Sequence, residues 1–120
     1  DKLFLFQSDT IRKLAQRESC VIIGRCADYI LRGRDDILRV FIHAPLEQRV
    51  ERICCLYDLD EKAALSLIKK TDKRRASYYG FFTDLSWGSA DTYDVCLNSA
   101  TLGIDGCIAL LADLAGHENS

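Results

Sequence analysis

Between positions 69 and 75 the chain sets five cations, Lys69, Lys70, Lys73, Arg74 and Arg75, around one carboxylate, Asp72. The protein as a whole has a net charge of −2, so this concentration runs against its general balance. Cations that can meet phosphate oxygens, with a carboxylate to orient one arginine, suit a polyphosphate ligand. Asp72 and Arg75 are three apart on a helical pattern and can pair; Lys69 and Lys73, four apart, fall together. The competing reading is a solvated helix face laced by local ion pairs. Nucleic-acid binding needs a broad basic surface, and a pI near 5.6 excludes it.

A second arginine stands where a ligand can be met. The apolar run "SCVII" (19–23) stops at Gly24, and Arg25 follows at once. In a sheet of alternating strands and helices, ligands sit outside the carboxyl ends of the strands. Three such ends are legible: Gly24-Arg25, His43-Ala44 and Asn98-Ser99. Arg25 reads either as a planar fork for a phosphate or as the partner of Asp28 or the preceding helix. His43 reads as a packed strand histidine. No serine-histidine-carboxylate set is present, and no G-x-x-x-x-G-K-[ST] phosphate loop. The six cysteines lack the spacing of a disulfide scaffold or zinc site and read as buried free thiols of a cytoplasmic protein. No metal site is expected.

The elements that must position these residues follow from periodicity. A helix is expected through "TIRKLAQRE", capped by Ser8 or Asp9. A strand is expected at 19–23, a short helix ending at Gly33, and a second strand at 37–44. Pro45 opens the helix "PLEQRVERICCLY", with Leu46, Val50, Ile53 and Cys54 inward and Arg49 among the outward polar residues. Asp58 or Asp60 caps the next helix, which carries the cations and ends at Gly80. A strand at 92–99 and a helix from about 101 to Gly116 complete the chain. This alternation predicts an α/β protein with parallel strands, of which about three are present. No apolar run approaches the ~18 residues of a membrane span.

The segments "SCVIIGRCADYILR", "RVFIHAPLEQRVERI", "TDKRRASYYGFFTDLSWGSADTYDVCLNS" and "LGIDGCIALL" resemble, in order and spacing, the cytidylate kinase-like family of P-loop nucleoside monophosphate kinases. The resemblance implies a three-layer P-loop kinase-like fold, a five-stranded parallel sheet flanked by helices, with a lid (here about 60–84) over the phosphates. It implies transfer of the γ-phosphoryl group of ATP, with Mg²⁺, to CMP or a related small acceptor. It implies that Arg25 contacts the monophosphate, that Asp72 and Arg75 are the catalytic lid residues, and that Lys73 and Arg74 are substrate-binding neighbours. Asn98 and Ser99 would sit by the adenine end of ATP. Partners in nucleic acid or membrane are not implied, and a homo-oligomer stays open.

The departures are specific. Cys26 stands where typical members have an aspartate, which leaves the acceptor base open. The family's first strand, phosphate loop and following helix have no counterpart, so residues 1–120 read as a partial domain. That first strand lies in the family between the strands matching 19–23 and 38–43. Its absence predicts a slot with unpaired backbone on both sides. Such a chain is expected to be unstable alone, to be filled by a partner strand, or to belong to a longer protein. The complete protein is then expected to transfer phosphate, and residues 1–120 alone are not. The alternative is a non-catalytic nucleotide- or phospholigand-binding module that keeps the fold.

Overall fold

Two of the three expected strands form, and they form because they find each other. A computed structural model describes residues 2–118. In it β1 (Val40–His43) and β2 (Val95–Asn98) pair in parallel, with Val40 opposite Val95 and His43 opposite Asn98. The register is set at its start by Arg39. Its backbone N–H donates to Asp94 Oδ2 at 2.7 Å, its guanidinium donates to both Asp94 oxygens, and its carbonyl accepts from Asp94 and Val95. A one-residue slip would break all of these bonds at once.

Residues 19–23 form no strand. Ile22 packs on the core, while Val21 and Ile23 are 91% and 88% exposed, the two-residue alternation of an extended segment. A strand is defined by a neighbour across its edge, and no strand pairs with this segment. β1 also has one open edge among the described residues, where its partner is β2 alone, and Ile42 is 53% exposed. The sheet is therefore two-stranded rather than three-stranded, an incomplete parallel sheet of α/β class.

Around it lie α1 (Lys2–Arg17), α2 (Ala27–Ile30), α3 (Leu46–Tyr57), α4 (Glu61–Thr83) and α5 (Ser99–Glu118), with a 3-10 turn at Ala90–Thr92. Helix α1 starts well before the expected caps. Ser8 lies in its interior, buried, with its hydroxyl donating to the Phe4 carbonyl at 2.8 Å. Phe4, one turn earlier, stacks on Phe82 of α4 with ring centroids 4.0 Å apart. This packing carries α1 back to Lys2, overriding the polar residues that suggested a start. The same aromatic contacts carry α4 past Gly80 to Thr83, where Asp84 adopts a left-handed cap and donates to the Gly80 carbonyl. Asp60 caps its other end by accepting from the Ala63 N–H, as its position predicts.

One buried cluster joins α1 (Ile11), α2 (Ala27, Ile30) and α4 (Tyr79), together with Cys26 and Leu31. Asp28 anchors it by accepting from the Tyr79 hydroxyl at 2.8 Å. The cysteines are all free, but only Cys26 and Cys107 are buried; Cys20, Cys55 and Cys96 are exposed. Helix α5 is longer and more apolar than expected, with residues 99–116 able to cross a membrane by length and composition. It touches β1 and β2 but leaves most of its length exposed, and Gly103 (φ 73°, ψ 163°) breaks its regular geometry one turn in.

Candidate functional site

The five-cation run sits on α4, and the helix period divides it. Arg75 lies two turns after Ile68 and one turn before Tyr79, both buried, and therefore shares their inward face. Arg75 itself is exposed. Arg75 thus lies on the line of the buried residues of α4 without being covered itself. Asp72 shares this face and is half-buried. Lys70, Lys73 and Arg74 turn away toward solvent, and Lys69 stands at the border.

Asp72 does not pair with Arg75. Its Oδ1 accepts from Arg49 Nη2 of α3 at 2.7 Å, with about a third of each side chain exposed. The hydrogen bond to Asp72 holds the Arg49 guanidinium still further above its already high pKa. Among the described residues none of the five cations has an ion-pair partner, so the run is not a face laced by local pairs. Arg49 was read from sequence as an outward polar residue. The overlooked signal is that it shares the stripe of Leu46, Val50 and Ile53, one turn from each end of it; a charge within an apolar stripe needs a partner.

Arg25 sits in a left-handed turn. Gly24, Arg25 and Cys26 have φ of 70°, 58° and 58° in succession, and the Ala27 N–H closes the turn on the Gly24 carbonyl at 3.2 Å. A left-handed conformation at two non-glycine residues is costly and marks functional sites more often than ordinary loops. Burial of Cys26 and Ala27 holds the turn in place while Arg25 projects out, exposed. Burial also pushes the Cys26 thiol up to about 11, with Asp28 adding to the effect. Arg25 makes no bond to Asp28, whose carboxylate takes the Tyr79 hydroxyl instead. Cys26, next to Arg25, and Tyr79, one turn from Arg75, belong to the same buried cluster. Two segments 50 residues apart in sequence, those of Arg25 and Arg75, are thus joined through this cluster.

The remaining rim residues hold the structure. Asn98 Oδ1 accepts from the N–H groups of Ala100 and Thr101 and so caps α5. Ser99 Oγ donates to the His43 carbonyl at 3.3 Å, tying the ends of the two strands. A concavity of about 490 Å³ lies elsewhere, lined by Asp28, Tyr79, Arg39, Asp91 and Thr92. Arg39 precedes β1 and Thr92 precedes β2, so this hollow is at the amino ends of the strands, and Asp28, three residues after Arg25, and Tyr79, one turn after Arg75, open onto it.

Residues 1–101 match the sequence pattern of the cytidylate kinase-like family. The chain belongs to that family. Three cytidylate kinases are among the relatives: one from Methanosarcina mazei, 32% identical over 89 residues, covers 69% of this chain and 47% of that protein. One from Natronomonas pharaonis is 30% identical over 95 residues, 79% of this chain and 49% of the other. One from Thermococcus kodakarensis is 24% identical over 108 residues, 88% and 55% respectively. The crystal structure of an uncharacterized protein from Eubacterium ventriosum superposes with a TM-score of 0.90 at 32% identity, over 95% of this chain and 65% of that one. The chain thus spans about half the length of the cytidylate kinases it matches, which agrees with a kinase-like sheet that is incomplete.

Proposed function

We propose that this chain is the acceptor-and-lid part of a nucleoside monophosphate kinase, transferring the γ-phosphoryl group of ATP to CMP or a related small acceptor in the cytoplasm. What supports the reading is Arg75: a cation that shares the face of the buried Ile68 and Tyr79 on α4, yet is exposed and, among the described residues, has no ion-pair partner. Phosphoryl transfer spreads negative charge over the moving group, and catalysis is chiefly positioning and electrostatic stabilisation by fixed cations. Arg25 holds the acceptor's phosphate, fixed by its left-handed turn. Arg75 reaches the transferring phosphates as α4 closes and displaces water. Lys73 and Arg74, on the far side of the helix in this conformation, raise the local potential or meet the ligand only after a rotation. Asn98 and Ser99 shape the adenine end through the capped start of α5.

The donor's phosphate cradle is not supplied by this sequence. Among the described residues no three carboxylate, histidine or cysteine side chains converge on a point fit for Mg²⁺. Chemistry at the metal therefore belongs to whatever segment brings the cradle. The alternative is a non-catalytic phospholigand-binding module, since binding needs only cations of the kind present here.

A calorimetric titration of residues 1–120 with a bisubstrate nucleotide analogue tests the site. The parent is expected to bind, and Arg75→Ala to lose roughly tenfold or more, the worth of a charged hydrogen bond. Equal affinity of the two would reject Arg75 as a lid residue. A transfer assay with ATP and CMP separates enzyme from module when it is run on the complete protein.

A further inference from the structure

Helix α3 leaves the rim directly after β1, and Arg49 lies on its first turn, with its N–H donating to the Pro45 carbonyl. Its guanidinium is the one charge of α3 that turns into the α3–α4 interface rather than into solvent, where it meets Asp72. Asp72 in turn stands one turn from Arg75 on the inward face of α4. One guanidinium, that of Arg49, therefore reaches the Asp72 carboxylate, and Arg75 follows one turn later on the same face of α4. A guanidinium has five N–H donors in a fixed fork. The bond to Asp72 is the only side-chain hydrogen bond of Arg49 among the described residues, so most of the fork is unused. A carboxylate that takes one edge of an arginine fixes the plane of the other edge, the arrangement that suits a bidentate oxyanion.

We propose that Arg49 is a further phosphate-binding arginine, on α3 beside the lid, and that Asp72 is the positioning residue which aims it. This deepens the nucleotide-kinase reading and rests on it. The ligand class is a polyphosphate, bound between Arg49 on α3 and Arg75 on α4, so that one ligand bridges both helices of the hairpin. Asp72 touches Arg49 and not the ligand.

The probe is inorganic tripolyphosphate, titrated into residues 1–120 by calorimetry and followed by its phosphorus resonances. Helicity by circular dichroism checks that each variant is folded, and Arg49→Gln stands in for Arg49→Ala if the alanine variant is not. Replacing Arg49 is expected to weaken binding about tenfold, and Arg49→Lys to recover only part of that, because an ammonium cannot fork. Asp72→Ala is the second arm. In that background Arg49→Ala is expected to cost clearly less than in the parent, since an unaimed guanidinium contributes less. A purely structural ion pair would instead lower the melting temperature without moving the phosphorus resonances. Unchanged affinity on replacing Arg49, while Arg75→Ala still weakens binding, overturns the proposal and leaves the nucleotide-kinase reading standing. An equal cost of Arg49→Ala in both backgrounds overturns the role of Asp72. Failure of the parent to bind tripolyphosphate overturns the proposal, while the transfer assay on the complete protein decides the nucleotide-kinase reading separately.

Discussion

Single positions carry conformational costs that can be read as consequences. Gly88 has φ of 84°, and a Cβ built there would stand 3.1 Å from Cζ of Phe41, whose ring also packs edge-on against Trp87. Gly88→Ala is expected to destabilise the protein by at least about 1 kcal/mol, from the left-handed conformation plus the tight contact, as measured by thermal melting. Arg25 presents the reverse case. Its left-handed backbone costs roughly 1–2 kcal/mol, so Arg25→Gly is expected to raise the melting temperature even after the unfolded state's gain in freedom. The same variant is expected to lose affinity for a nucleoside monophosphate. A protein that gains stability and loses binding would show that the turn is kept for its ligand. One that loses both would show that Arg25 holds structure.

At the scale of elements, the ion pair at the head of the sheet is the most exposed to pH. Arg39 holds the Asp94 carboxyl below its usual range, through hydrogen bonds from its side chain and backbone. A carboxylate with a depressed folded pKa contributes stability that is fully present above its unfolded pKa, near 3.8, and lost as pH falls through the lower folded value. The parent is therefore expected to lose stability on acidification below about pH 3.8, and Asp94→Asn to be less stable at neutral pH but flatter across that range, by denaturation at stepped pH. The magnitude is small, because the Asp94 side chain is 37% exposed and solvent screens it. An unchanged acid limb in Asp94→Asn would mean that other carboxylates govern it. Between α2 and α4, Tyr79→Phe removes the hydroxyl that Asp28 accepts and is expected to cost about 1 kcal/mol, the ordinary worth of such a bond.

Across the whole molecule, β2 is the only strand paired with β1 among the described residues. Val21 and Ile23 present apolar side chains to water, and the exposed apolar residues of α5, Ile104 and Ile108 among them, do the same. A strand and helix supplied by a longer protein would cover such surface. Alkylation reports it directly. In residues 1–120 alone, Cys20, Cys55 and Cys96 are expected to react quickly, and Cys26 and Cys107 only on unfolding. In a longer protein that carries the family's first strand, Cys20 is expected to slow markedly while Cys55 does not. Equal rates for Cys20 in both would mean that the slot is not filled by that strand. Phosphate transfer from ATP to CMP is expected of the longer protein and not of residues 1–120.

Much of this was legible without coordinates, because it is local. Asp60 as a cap, the paired strands near 40 and 95, the α/β alternation and the family itself are carried by short-range pattern, which a chain keeps wherever it packs. Other features depend on what packs across. Residues 19–23 have the composition of a strand but no strand beside them, since strand pairing is a property of two segments. The ends of α1 and α4 were set by Phe4 against Phe82, across 78 residues of sequence. The five cations were visible as a cluster, but only tertiary packing separates Arg75 from its neighbours and gives Asp72 to Arg49. Residue type is written in the chain; which partner a charge faces is decided by the helices that bring it there.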